Sequence, residues 1–267
     1  MQMPNKQKKR TELWIPLSKS LSFLLGKRVL FGWSLLLVLI TMILTWLGYL
    51  LTTGLMDHFT GTFFVLAPAT ESWWGWLKYS GWYVAKWLFL LVSRIVAFFL
   101  AFLFAYSLST PFYVFLSTAA EKIYCGTDFE ADEPLSLGSI LKDLLEGFKI
   151  AAFGILITII AIPVSFVPVI GQIAVLTIYT FYSTLMFIDY PASRRHWSLS
   201  RKLSWIRQHN RESLRLGIIP AVIGMVPVLN LFLIAFAFPL LTVHATLNFT
   251  VIEQSARPVP ADQHAAK

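Results

Sequence analysis

Few side chains in this 267-residue chain could do chemistry, because 13% are charged and 57% hydrophobic. The polar groups that stand in apolar surroundings are Lys86, Arg94, Gln172, Asp189, Asn230 and His244. Their spacing fits no catalytic constellation. There is no His/Cys/carboxylate cluster, no Ser/His pair and no glycine-rich phosphate loop, so the sequence points to no enzyme, cofactor or metal. The single cysteine, Cys125, can make neither an internal disulfide nor a Cys-based metal site by itself. Ionisable groups within an apolar segment either mark an ion pathway or snorkel to the nearest interface. Lys86 and Arg94 admit both readings. His244, between apolar neighbours, reads as a packing histidine rather than a gate. Asp189, just before Tyr190 and Pro191, reads as a cap or brace where a hairpin ends. Gln172 and Asn230 either meet a permeant ion or satisfy backbone groups freed by Pro168 and Pro227.

The elements that must position these groups are membrane helices. Mean hydropathy is +0.67, aromatic residues reach 15% and there are ten Trp, which suits a chain whose backbone lipid cannot hydrate and whose rings sit at headgroup depth. The short alternating segments of an outer-membrane barrel are absent. The net charge of +8 gathers at the edges of apolar runs, as the positive-inside rule requires. No basic groove with interleaved aromatics is present, so nucleic acid is not expected as a partner. Lys6, Lys8, Lys9 and Arg10 precede no cleavable signal sequence.

In chain order, residues 1–11 read as a disordered basic tail and 13–25 as an amphipathic interfacial helix with Leu17, Leu21 and Leu24 on one side. Residues 29–51 are long and apolar enough to span. Trp76, Tyr79, Tyr83 and Trp87 recur at helical spacing and open a second long helix that ends at Pro111, on the inner side. Residues 111–147 are the most polar interior stretch. Two apolar pairs follow, 148–162 with 172–188 and 216–227 with 231–252, separated by a basic run from Arg194 to Arg215 that reads as a lipid-facing surface helix. Each arm of the first pair has about sixteen residues, about 24 Å at helical rise and short of a span. The expectation is an all-α integral membrane protein: two long transmembrane helices, two Pro-broken and partly inserted hairpins, and an N-terminal amphipathic helix. Residues 12–252 form one membrane domain and 253–267 a disordered tail.

The hairpin motifs carry a resemblance. Phe166-Val167-Pro168-Val169-Ile170-Gly171-Gln172, then Asp189-Tyr190-Pro191, then Val226-Pro227-Val228-Leu229-Asn230, together with Pro111-Phe112 and Ala245-Thr246, resemble the CysZ-type sulfate transporter (etoposide-induced domain) family. The resemblance implies a bacterial inner-membrane homo-oligomer that passes sulfate inward for cysteine synthesis. It also implies an anion site at a Gly followed by a basic pair, here Gly26, Lys27 and Arg28. Physics supports that position separately, since the N-terminal amides and dipole of a helix favour an anion and two cations add charge-assisted bonds; ordinary positive-inside flanking would leave the same trace. The expected function is therefore a channel or permease for sulfate or a similar small oxyanion, working in a lipid bilayer with both termini cytoplasmic. Arg94, Pro168, Gly171, Gln172, Pro227 and Asn230 would belong to the pore or the hairpin tips. The alternative is a non-transporting, membrane-shaping or scaffold protein of the same family, which the segments 13–25 and 194–215 would equally serve.

Overall fold

The computed structural model describes residues 14–60, 64–129, 137–225 and 227–256. The expected tail at 1–11, residues 130–136 of the acidic loop, and 257–267 of the expected C-terminal tail lie outside them. Apolar segments that can find no water must close their hydrogen bonds internally, and here they do so as helices. In chain order these are α1 (Leu17–Gly26), α2 (Arg28–Thr60), α3 (Trp73–Cys125), a short 3-10 turn (Gly126–Asp128), α4 (Leu137–Ser165), α5 (Ile170–Ser193), α6 (Leu199–Gln208), α7 (Asn210–Gly224) and α8 (Pro227–Ala256). Among the described residues, five stretches are long and apolar enough to cross a membrane: Arg28–His58, Trp73–Cys125, Leu145–Ser165, Ile170–Ser193 and Phe236–Ala256. The chain is a multi-pass helical membrane protein.

Several boundaries differ from the sequence reading, the first span among them, which runs on from residue 51 to Thr60. The second long helix does not stop at Pro111; α3 runs through it to Cys125. The arms of the first hairpin are longer than about sixteen residues, because α4 starts at Leu137 and contains Pro163, while α5 contains Pro191 and ends at Ser193. Proline removes one donor and crowds one carbonyl, but in a membrane helix neighbouring hydroxyls and helices can take up the freed group. Proline was read as a terminator where it is only an interior residue.

The described residues form two compact units, one from Met1–Val38 with Thr110–Lys267 and one from Leu39–Ser109. In the smaller unit, α2 and α3 approach through small residues: a Cβ on Gly48 would lie 3.2 Å from the Cβ of Ala101. Thr52 Oγ1 donates to the Ala97 carbonyl at 3.3 Å. Trp76, Tyr79, Tyr83 and Trp87 make successive ring contacts along α3, with centroids 6.3–6.4 Å apart, as their spacing predicts.

The larger unit is built on α5, which packs against α4, α6, α7 and α8. Its closest crossing is with α7, where a Cβ on Gly217 would strike the Thr180 carbonyl and Thr184 Oγ1. Thr184 Oγ1 donates across the same crossing to the Ser213 carbonyl at 2.6 Å. Small residues and interhelical hydrogen bonds of this kind hold helices together where lipid offers no hydrophobic drive. The α4–α5 turn is tighter than its sequence announces. Val169 has φ 64° and ψ −62°, and Ile170 N–H donates to the Pro168 carbonyl at 2.7 Å, which together make the rare positive-φ γ-turn. Gly171 follows because its N–H must reach the Val167 carbonyl at 2.9 Å, and a Cβ there would collide with the Val164 carbonyl.

Candidate functional site

Lys27 is the single non-helical residue between α1 and α2, with φ −110° and ψ 103°. Its carbonyl accepts the first bond of α2, from Phe31 N–H at 3.0 Å. Lys27 therefore stands at the N-cap and Arg28 at the first helical position, and the amides of that first turn have no acceptor within the helix. No acidic residue lies in the turn, so nothing local offsets the positive end of the helix. Gly26, Lys27 and Arg28 are all exposed. The sequence-predicted triad thus meets as open amides, one ammonium and one guanidinium, a set suited to a small oxyanion.

The same end of the larger unit collects the charged side chains. Glu121 near the end of α3 receives Arg194 at 2.7 Å and Arg195 at 2.8 Å from the residues after α5. The Arg195 guanidinium also lies 4.8 Å from the Phe249 ring centroid. Lys202 on α6 is 0% exposed and reaches Asp189 Oδ1 at 2.5 Å, where Ser193 Oγ donates at 3.0 Å. Trp205 Nε1 donates to Glu253 at 2.8 Å, and Ser117 Oγ lies 2.8 Å from Thr246 Oγ1. The ends of α3, α5 and α8 are thereby tied to one another and to α6.

The other predicted residues are placed as follows. Asp189 lies near the end of α5 and accepts from Lys202 and Ser193, and Lys202, which the sequence places in a basic surface run, is buried. Tyr190 packs its ring 5.5 Å from that of Tyr113, and Pro191 lies in the last turn of α5. Pro168 opens the γ-turn and Gly171 follows it, and Gln172 Nε2 donates to the Ser165 carbonyl at 3.1 Å, the backbone-satisfying role. Pro227 opens α8 and Asn230 follows in its first turn. Arg94 is in the smaller unit and pairs with both oxygens of Asp57, at 2.9 and 3.0 Å. Lys86 lies 4.9 Å from the Trp82 ring centroid, a cation–π contact fit for an interface. Among the described residues no three His, Cys, Asp or Glu side chains gather as a metal would need.

Sequence reasoning passed over Ser20 and Asn248. Asn248 Oδ1 accepts Ile15 N–H at 2.9 Å, and its Nδ2 donates to the Ile15 carbonyl at 3.1 Å. Ser20 Oγ and His244 Nδ1 share a hydrogen bond of 2.9 Å. The available signal was the run of alternating polar residues Thr242, His244, Thr246, Asn248 and Thr250 in an otherwise apolar helix, all of them buried.

A bundle of apolar helices, five of them long enough to cross a membrane among the described residues, defines a multi-pass helical membrane protein. Comparison with known proteins agrees: the family described as Sulfate transporter CysZ/Etoposide-induced protein 2.4 matches residues 17–235, and the chain belongs to that family. A protein of Pseudomonas aeruginosa named Sulfate transporter CysZ is 28% identical over 230 residues, covering 83% of this chain and 89% of that one. A Pseudomonas fluorescens protein of the same name is 26% identical over 183 residues, 64% of this chain and 69% of its own.

Proposed function

We propose that this protein carries sulfate or a closely related small oxyanion across the bacterial inner membrane, and that Gly26, Lys27 and Arg28 form its anion-binding station. The observation that carries the reading is the start of α2, where exposed cations flank amides with no acceptor in their own helix. The family and the names of the relatives favour sulfate. The basic end of the larger unit faces the cytoplasm under the positive-inside rule, so the station takes or releases its ion on that side. The hairpin turns with Pro168, Gly171, Gln172, Pro227 and Asn230 frame the route, and the protein works as a homo-oligomer in the bilayer.

The test is uptake of labelled sulfate by proteoliposomes containing wild type or the double variant Lys27→Ala/Arg28→Ala. Wild type is expected to load the vesicles, and the double variant to lose at least about tenfold, since two charge-assisted contacts disappear. Equal uptake by both removes the site. Uptake by neither removes sulfate transport and favours the scaffold reading.

A further inference from the structure

The short helix α1 is a poor helix by itself. It has ten residues, Pro16 at its N-cap gives no side-chain hydrogen bond, and its first turn has no acidic and its last turn no basic residue. Helices of this length are marginal in water even with good sequences, so α1 depends on what it docks against. That partner is α8. Asn248 grips the residue before the N-cap by both of its backbone groups, at 2.9 and 3.1 Å. An amide reversed in place would set its NH2 against the Ile15 N–H, so the two contacts fix its orientation. One turn back along α8, His244 Nδ1 holds Ser20 Oγ at 2.9 Å and stands 3.2 Å from Asn248 Nδ2. Its ring also meets Trp14 edge-on at 5.7 Å. Ser20 is fully buried by these contacts and Leu24 nearly so.

Beyond Leu24 only Leu25 and Gly26 precede the basic pair. A helix of this length is a rod of about 15 Å, held by α8 at its start and middle and carrying Lys27 and Arg28 at its tip. We infer that Asn248 and His244 are positioning residues, which clamp α1 on α8 and so hold Lys27 and Arg28 where α2 begins. The inference rests on the proposed anion station for its functional half, but the clamp itself is tested without sulfate. In buried surroundings an amide that pairs with both backbone groups of one residue has no equivalent substitute among apolar side chains, because each lost partner leaves a desolvated group behind.

The experiment places a reporter cysteine at Leu24 in the full chain, with Cys125→Ser removing the native thiol, and follows maleimide labelling in detergent. The reporter is expected to react slowly in the parent and at least about tenfold faster with Asn248→Ala. Asn248→Asp, which keeps the acceptor for Ile15 N–H, is expected to restore part of the protection. Ser20→Ala removes the His244 contact from the α1 side without altering α8, and is expected to raise labelling too, so the clamp stays testable if α8 variants fold poorly. Unchanged labelling in both Asn248→Ala and Ser20→Ala overturns the clamp. Sulfate affinity by equilibrium dialysis then reads the functional half, with Asn248→Ala expected to weaken it at least about fivefold and Asn248→Asp to recover part. Loss of sulfate binding in Lys27→Ala/Arg28→Ala with wild-type binding in Asn248→Ala overturns positioning alone. Wild-type binding in the basic-pair variant overturns the station, and the labelling result still judges the clamp.

Discussion

Lys202 shows how much a single side chain's surroundings decide. A lysine that is 0% exposed is tolerable because Asp189 and Ser193 receive it and Glu146 lies 3.9 Å away, and removing one partner of such a cluster strands the remaining charge. Lys202→Met is therefore expected to destabilise by about 3–5 kcal/mol, and the double variant Lys202→Met/Asp189→Leu to recover much of that loss. Thermal unfolding in detergent checks both, and a Lys202→Met protein as stable as wild type removes the pair from the fold's essential contacts. The sequence held this lysine in plain view, inside a basic run. Its helical spacing to Trp205 and Ile206 puts all three on one face, and all three are buried, but net charge hid that periodicity. The proposed station at Lys27 and Arg28 is legible in the sequence, because a Gly and two cations directly ahead of a long apolar run are contiguous. The Asn248–Ile15 clamp was not, because its partners are 233 residues apart and one of them contributes only backbone.

At the scale of elements, hydrophobic length gave the two long helices but made the arms of the first hairpin too short to span, which they are not, and proline misled about where helices end. Pro111, Pro163 and Pro191 all lie inside helices, so in the first hairpin the break falls only at the turn of Pro168, Val169 and Ile170. A β-branched residue at φ 64° stores strain of about 1–3 kcal/mol. Val169→Gly gives back part of that as lost backbone order in the unfolded chain, and is expected to stabilise by about 1 kcal/mol. Gly171→Ala is expected to do the opposite by about 1–3 kcal/mol, because its methyl group would push on the Val164 carbonyl. Melting temperatures of the two variants should bracket that of wild type. If Val169→Gly melts lower, the turn is held by side-chain packing at Val169 and not strained.

At the scale of the larger unit, contacts far apart in sequence bring α1 together with the ends of α3 and α8. Ser20 touches His244 and Cys125 Sγ accepts from Gln254 Nε2 at 3.3 Å, so α1 and the ends of α3 and α8 belong together. Single reporter cysteines at Lys19 and Ser255, in a Cys125→Ser background, are expected to react with an impermeant maleimide from the same side: in inverted vesicles and not in intact cells. Labelling of the two positions from opposite sides would break the docking of α1 on α8. The clamp also has a consequence for how the protein is made. Helix α1 leaves the ribosome first, but its anchor Asn248 is synthesised 233 residues later. Until then the short helix can only rest on the membrane surface, so the basic pair takes up its final place after every membrane helix has been inserted. Assembly of this corner thus waits for the last membrane helix, and a chain arrested before α8 would carry α1 and its basic pair without their anchor.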